Sequence, residues 1–394
     1  MGRDLAGESR RLRAAGPAAP IELPGGIPAW GIVDPDLLRK LLVSPDVSKN
    51  PRLHWPAWFE GRIPGDWLLA PWLSMENMLS AYGSEHRRLR TLLSKAFTPR
   101  RIAELGPSVQ HTTDELLNAL PSAAEDGVVD VREHFAHLLP FDTIGRLFGL
   151  PTSMHDELRA CIDIVLAPVL GADVAMASER TREILHELLI AKRETAGDDL
   201  TSALLAARDG DNPPLSETEL LHTLQLVIAA GFETTVNVID QGLTALLTHP
   251  KQLELVRTGQ ASWEDVVEET LRWQPSVPHM PLRFAVTNIP VSATTTIAAG
   301  DAIMACFGAA NRDPDVHGDD ADEFDITRPS RRQHFAFGHG AHACIGSALA
   351  RMQATTALRT FFERYPGAQL AVPTEELEPI SLVANGHQHL PIRL

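Results

Sequence analysis

The strongest constraint on the fold is a long helical pattern over residues 216–248. Ser216 and Glu219 form a capping box, an arrangement that begins many helices. Apolar residues then recur three or four positions apart, which is the spacing of one helix face. A helix over this whole range would be roughly 50 Å long, enough to cross a domain. The sequence therefore predicts one long central helix, ended by Pro250.

The centre of this predicted helix is poor in helix formers. It reads AGFETT over residues 230–235. Glycine costs about 1 kcal/mol relative to alanine in a helix interior, and the branched side chain of threonine is restricted there. Glu233 and Thr234 form an acid–alcohol pair that can relay protons through water. Thr234 can also donate its hydroxyl to the carbonyl one turn earlier and bend the helix. The two interpretations are compatible.

Two shorter helices are predicted over residues 262–275 and 345–365, and short alternating segments between them indicate strands. The predicted fold class is therefore mainly α with small β-sheets. Residues 1–30 are rich in Ala, Pro and Gly, and we expect a loosely ordered N-terminal segment there. Residues 31–394 are expected to form a single domain.

Composition narrows the possible functions. Acidic residues number 51 against 35 basic ones, which gives a net charge of -16. Such a charge argues against nucleic-acid binding. There is no apolar run of about 18 residues, so no membrane span is predicted. The three cysteines are far apart in the sequence, which indicates no disulfide framework and favours a reducing, cytoplasmic setting.

The chemistry is concentrated in the segment FGHGAHACIG over residues 337–346. Its three glycines indicate tight turns or a close approach of the backbone to a flat or bulky group. Cys344 lies where this loop enters the last predicted helix. Backbone amides and the positive end of that helix would favour a thiolate.

Four interpretations of this segment compete. A zinc site of His339, His342 and Cys344 lacks the second ligand cluster that structural zinc usually needs. A dinucleotide fingerprint beginning at Gly338 lacks the buried strand that should precede it. A merely buried Cys344 would be common for a cysteine but leaves the glycine density unexplained. The remaining interpretation is an axial thiolate ligand for haem iron.

The segment resembles the haem-binding signature of the cytochrome P-450 family, Phe-Gly-x-Gly-x-His-x-Cys-x-Gly, at every fixed position. Residues 230–234 resemble that family's oxygen-binding signature. The resemblance, which runs from about Asn77 to the C-terminus, implies the cytochrome P-450 fold with haem b between the long central helix and the Cys-loop helix. It implies Cys344 as the iron ligand and Glu233 and Thr234 as catalytic residues. Ala230, Gly231, Phe337, Gly338 and Gly346 would lie beside the haem.

Further positions match the family by their place in the sequence. The resemblance implies that the haem propionates are bound by His86, Arg90, Arg283 and His334. It implies a structural role for Glu269 and Arg272, one helical turn apart, with Arg328. The residues expected to line the substrate pocket are Met75, Met78, Ile228, Val277, His279, Met280, Val383 and Ala384.

The resemblance implies a haem-dependent monooxygenase that uses O2 to hydroxylate a bulky apolar small molecule, such as a secondary metabolite or a steroid. An alternative is oxidative coupling of aromatic rings, such as indoles or phenols, without oxygen insertion. A haem-binding sensor is a further possibility, but a sensor would not need the Glu233–Thr234 pair.

Electrons are expected from a ferredoxin and its NAD(P)H-dependent reductase. Basic residues near the motifs are candidates for docking an acidic ferredoxin: Arg87, Arg88, Arg100, Arg101 and Arg351. We expect a cytoplasmic monomer that binds neither nucleic acid nor membrane.

Overall fold

A computed structural model describes residues 4–65, 67, 69–166, 173–380 and 384–394. The chain divides into two compact units. The first unit comprises residues 1–86, 241–344 and 381–386, and the second comprises residues 87–240, 345–380 and 387–394. Helices predominate in the described ranges and are accompanied by small sheets, so the predicted fold class is confirmed.

The helices account for most of the chain. They are α1 (Leu5–Ala14), α2 (Pro35–Val43), α3 (Pro51–His54), α4 (Pro56–Phe59), α5 (Ala70–Ser74), α6 (Gly83–Ala96), α7 (Pro99–Glu104), α8 (Gly106–Ala123), α9 (Leu138–Phe148), α10 (Thr152–Leu166), α11 (Val174–Glu194), α12 (Leu200–Ala206), α13 (Glu217–Gly231), α14 (Glu233–Thr248), α15 (Pro250–Arg257), α16 (Trp263–Trp273), α17 (Phe307–Ala310), α18 (Pro314–His317) and α19 (Ser347–Arg364). A short π-helix covers Arg132–Ala136. No helix in the described part of the chain combines the length and the apolar run that a bilayer crossing requires.

The strands form small sheets. They are β1 (Ala18–Leu23), β2 (Ile27–Ile32), β3 (Val47–Ser48), β4 (Val128–Asp130), β5 (Met280–Ala285), β6 (Ile289–Pro290), β7 (Thr296–Ile297), β8 (Ala302–Ala305), β9 (Gln369–Leu370) and β10 (Pro391–Arg393). In the first unit, a five-stranded sheet has the order β1-β2-β8-β5-β3, and β6 pairs with β7. In the second unit, β10 lies between β4 and β9.

Residues 4–30 are more ordered than the sequence indicated. They form α1, β1 and most of β2, and these two strands pair in antiparallel register at the edge of the five-stranded sheet. Asp4 caps α1 by accepting a hydrogen bond from the Gly7 amide at 2.7 Å. The expectation of a loosely ordered segment is therefore wrong for these residues, because composition alone gave no sign of the pairing with β8. The expectation of a single domain over 31–394 stays a prediction.

The prediction of one continuous helix over 216–248 is wrong at its centre. Phe232 separates α13 from α14, with φ -78° and ψ -77°. The hydroxyls of Thr234 and Thr235 donate to carbonyls one turn earlier, which bends the chain as threonine pairs do. The amide of Val236 donates to the Phe232 carbonyl at 3.1 Å, four residues back, so the α-helical ladder restarts there. The capping box at Ser216 and the two shorter predicted helices, α16 and α19, are confirmed.

Candidate active site

The cysteine loop over residues 337–346 is a tight turn held by its own backbone. The Cys344 amide donates to the Phe337 carbonyl at 2.8 Å. Gly338 and Gly340 have φ angles of 68° and 73°, a region that L side chains rarely adopt. A Cβ at Gly340 would also lie 2.7 Å from a backbone oxygen of α2. The shape of the loop therefore requires these two glycines.

The three cysteines lie in different environments. Cys344 is exposed, whereas Cys161 and Cys306 are buried. Burial raises the pKa of the Cys161 thiol and raises the pKa of Cys306 to about 12, which keeps both protonated at neutral pH. Cys344 stands two residues before Gly346, the N-cap of α19. The interpretation of Cys344 as a merely buried small residue is therefore wrong.

The zinc and dinucleotide interpretations find no support in the geometry. Among the residues that the structure describes, no group of three His, Cys, Asp or Glu side chains is arranged to hold a metal ion. Residues 329–337 form turns and irregular backbone in place of the buried strand that a dinucleotide fingerprint requires.

Arg283 is a buried cation on β5. It is 6% exposed, and burial lowers the pKa of its guanidinium to about 10. Within the described ranges its Nη1 atom has no hydrogen-bond partner. A buried cation without a counter-charge is energetically unfavourable, because it has lost its hydration shell and no ion pair compensates for that loss. The site therefore suits a bound anion.

His86 and His342 lie together in the first unit. Their ring centroids are 4.0 Å apart, and His86 is 5% exposed. Arg90 follows His86 by one turn of α6 and is half-buried. His342 was expected to bind a ligand only in the zinc interpretation, and its position beside His86 was not predicted. The signal was present, because His342 occupies the fixed histidine position two residues before Cys344.

His334, which was predicted to bind a propionate, has a protein partner at each ring nitrogen. Its Nε2 lies 3.1 Å from Glu268 Oε2, and both side chains are 3% exposed. Its Nδ1 accepts a hydrogen bond from the Ala336 amide at 3.2 Å. Because Nδ1 accepts, Nε2 carries the proton and donates it to Glu268. The assignment of His334 to a propionate stays a prediction.

The carboxyl of Glu233 is part of a buried network in the second unit. Arg132 Nη2 donates to Glu233 Oε1 at 2.8 Å, and Arg132 Nη1 donates to Asp240 Oδ2 at 2.7 Å. Asp240 also lies 2.5 Å from His387 Nδ1. Burial raises the pKa of Glu233, although Arg132 opposes the rise. The sequence analysis missed Arg132, since the π-helix that carries it is far from Glu233 in the sequence.

The small residues before the helix break differ in their surroundings. Ala230 is exposed, and its carbonyl accepts the hydrogen bond from the Thr234 hydroxyl. Gly231 is half-buried, and a Cβ there would lie 3.5 Å from Ile144 Cδ1 of α9. Of the two residues expected to leave room for a haem, only Ala230 presents open surface.

The predicted pocket residues fall into groups. The half-buried ones in the first unit are Met75, Met78, Val277, Met280 and Ala384. Ile228 is 4% exposed in the interior of the second unit. His279 is 5% exposed, and its Nε2 lies 3.7 Å from a carboxylate oxygen of Glu8 in α1. Val383 lies outside the described residues. Ile228 and His279 are the most buried of the described members, and the assignment of the set to a substrate pocket stays a prediction.

The structure brings together the three residues predicted to be structural. Arg272 is fully buried and donates to both carboxylate oxygens of Glu269, at 2.7 and 2.6 Å. Arg328 Nε lies 3.5 Å from Glu269 Oε1. The remaining Arg272 donors bond to the carbonyls of Asn311, Ala321 and Glu323. Each carbonyl belongs to a segment outside the helices and strands. Arg272 therefore supplies hydrogen bonds to backbone that lacks the regular bonding of a helix or a sheet.

The profile of the cytochrome P-450 family matches residues 170–259 and 263–383, more than half of the chain. The chain therefore belongs to the cytochrome P-450 family and is a monooxygenase. It is 39% identical, over 395 residues, to the 2-hydroxy-5-methyl-1-naphthoate 7-hydroxylase of Streptomyces carzinostaticus, an alignment that covers 100% of this chain and 96% of that enzyme.

Solved structures agree with this membership. CYP154A1 from Streptomyces coelicolor A3(2) is 48% identical with a TM-score of 0.89, and the match covers 98% of this chain and 97% of that one. Testosterone-bound CYP154C4 from Streptomyces sp. ATCC 11861 is 38% identical with a TM-score of 0.92, covering 100% of this chain and 96% of that one.

Members of this family carry a haem, and the residues of this chain suit one. The exposed Cys344 thiol supplies a soft ligand for iron, on a loop whose backbone excludes larger residues at Gly338 and Gly340. Arg283 supplies a buried donor that lacks an anion. The chain therefore has both an iron ligand and a partner for a haem carboxylate.

Proposed function

We propose that this chain hydroxylates a bulky apolar small molecule, of the secondary-metabolite or steroid class, with O2 at a haem iron bound by Cys344. The observation that carries the proposal is the exposed thiol of Cys344 on a glycine-dependent loop. The relatives support the substrate class, since one is a naphthoate hydroxylase and another was solved with testosterone bound.

In this proposal the cofactor is haem b. When bound, it would supply the activation of O2, which the Cys344 thiolate as iron ligand would favour. The chain's residues bind and orient it. Phe337, Gly338 and Gly346 shape the loop that presents Cys344, and Ala230 is a small, exposed residue near the end of α13. The propionates are held by Arg283, His86 and Arg90, to which we add His342 because its ring lies against His86.

Glu233 and Thr234 handle protons. The Thr234 hydroxyl is held by the Ala230 carbonyl, which fixes the position of its oxygen. The raised pKa of Glu233 makes its carboxyl easier to protonate, which suits a group that alternately takes up and releases a proton. Arg132 holds that carboxyl in place and is therefore a positioning residue.

Replacing Thr234 with alanine is expected to lower the product formed per NAD(P)H oxidised by roughly 100-fold or more, with the lost electrons released as peroxide, because an acid–base relay contributes at least on that scale. Thr235→Ala is a matched control. Thr235 donates the same kind of hydrogen bond, to the Gly231 carbonyl at 2.8 Å, but is only 3% exposed. Equal uncoupling in both variants would assign the effect to the helix bend and not to a relay.

The proposed substrate class is tested with holoprotein titrated against naphthoates, steroids and small polar compounds. We expect the bulky apolar compounds to shift the Soret band at the lowest concentrations. Turnover of the tightest binder under labelled dioxygen should then place the label in the product. A coupled aromatic product without label would replace hydroxylation by oxidative coupling.

We propose that a ferredoxin and an NAD(P)H-dependent reductase supply electrons in the cytoplasm. The basic residues considered for docking all lie in the second unit. Arg88 is 11% exposed and paired with Glu219, so its charge belongs to the fold. Arg87 is exposed on α6, which makes it the better docking candidate.

Reversing the charge with Arg87→Glu is expected to slow reduction by ferredoxin about threefold at low ionic strength, because a rim charge acts mainly on the association rate. The difference should shrink as salt screens the charge. Stopped-flow reduction rates at several salt concentrations measure it. Arg62→Glu, at an exposed arginine of the first unit, is the control. Equal rates for both variants and the unmodified protein would remove Arg87 from the docking surface.

A further inference from the structure

Two buried cations, Lys49 and Arg283, lie close enough at the edge of the five-stranded sheet for the charge of Arg283 to act on Lys49. Strands β3 and β5 pair in antiparallel register, with Val47 opposite Ala285 and Ser48 opposite Phe284. One step further along the same register, Lys49 comes opposite Arg283. Both residues are 6% exposed. Like charges directly opposite on paired strands are destabilising.

No protein carboxylate compensates these charges in the described part of the chain. Arg283 Nη1 has no hydrogen-bond partner there. Burial, and then the charge of Arg283, lowers the pKa of Lys49 well below its usual value, and burial alone lowers that of Arg283. No acidic residue counteracts either shift. A chain with a net charge of -16 has thus buried two cations side by side without an anion.

The backbone beside Arg283 is strained. Leu282 has a φ of 67°, the left-handed region that branched apolar residues avoid. The register of β5 against β8 shifts between Met280 and Arg283, so the strand bulges at this point. Such outliers are unfavourable in free energy and cluster at ligand-binding positions. Bulges re-aim side chains near functional sites, and this one lies directly beside Arg283.

We propose that Lys49 and Arg283 together bind one carboxylate, and that this carboxylate is a propionate of the haem. The inference rests on the proposed function, because the propionate belongs to the proposed cofactor. Arginine offers a planar fork that matches a carboxylate, and lysine adds a second charge-assisted hydrogen bond. The bound anion would offset the repulsion between the two cations and compensate for the loss of their hydration on burial.

The test uses full-length holoprotein and the variants Lys49→Met, Lys49→Arg and Lys40→Met. Lys40 is an exposed residue of α2 and serves as the control. We expect K49M to lose haem to excess apomyoglobin roughly tenfold faster, the effect of losing one charge-assisted hydrogen bond. K49M should also shift the propionate bending bands in the resonance Raman spectrum. K49R and K40M should behave as the unmodified protein.

A second arm separates a haem carboxylate from a substrate carboxylate. Binding of an aromatic carboxylic acid and of its methyl ester is compared in K49M and in the unmodified protein. Unchanged haem loss and Raman bands, with selective loss of affinity for the free acid, would assign the site to substrate and overturn the propionate. No change in either arm would overturn the carboxylate site. If K49M accumulates without haem while K49R loads fully, the result supports the proposal.

The carbon monoxide spectrum of the reduced unmodified protein keeps this inference distinct from the proposed function. A spectrum without the thiolate signature would disprove Cys344 as the iron ligand, and with it the proposed function, whatever the behaviour of Lys49. A normal thiolate spectrum together with unchanged haem retention in K49M would disprove only the binding of the propionate by Lys49.

Discussion

Replacing Cys344 with alanine is expected to abolish the thiolate signature of the reduced, carbon-monoxide-treated protein and to lower hydroxylation by roughly three orders of magnitude or more. The physical reason is that the Cys344 thiolate, as the iron ligand, would supply the electron density on which the activation of O2 depends. No other described cysteine can take its place, because Cys161 and Cys306 are buried. The absorption spectrum and the rate of product formation measure the two effects.

Cys161→Ala provides the control, since it removes a thiol that burial keeps protonated. It should retain the thiolate spectrum and the hydroxylation rate. A C344A variant that kept the thiolate spectrum would disprove the assignment of the iron ligand. An unmodified protein whose spectrum indicated imidazole ligation would do the same.

The second large effect is on folding. Arg272→Met is expected to destabilise the protein by roughly 3–5 kcal/mol, because it leaves the carboxylate of Glu269 buried without its main partner. Glu269 and Arg272 are both completely buried, and Arg328 reaches Glu269 only at 3.5 Å. Three backbone carbonyls also lose their donor. Urea unfolding followed by circular dichroism gives the change in midpoint.

Arg182→Met is the matched control for Arg272→Met. Arg182 pairs with Glu179 at the same sequence spacing, but both side chains are about half exposed. Exposed pairs of this kind contribute little to stability, so the midpoint should not move. Equal midpoints for R272M and R182M would show that burial of the Glu269–Arg272 pair has no energetic consequence.

Local patterns in the sequence predicted local structure well. The capping boxes at Ser216 and Ser262 begin α13 and α16, and the helical spacing after the cysteine loop predicts α19. The loop itself was recognisable because glycines with positive φ and a cysteine before a helix are short-range features. The break at Phe232 was only partly predictable. The sequence shows weak helix formers there, but the hydrogen bonds from the hydroxyls of Thr234 and Thr235 to carbonyls one turn earlier depend on the folded backbone.

What the chain by itself determined, then, is the cysteine loop, the acid–alcohol pair and the helix-rich fold, since each is encoded in neighbouring residues. The tertiary structure alone decided which distant side chains meet. In the folded chain Arg132 pairs with Glu233, His334 contacts Glu268, and the strand register brings Lys49 near Arg283. Strand register and the burial of charge produce these contacts, and both depend on segments that are more than 60 residues apart in the sequence. No local periodicity records them.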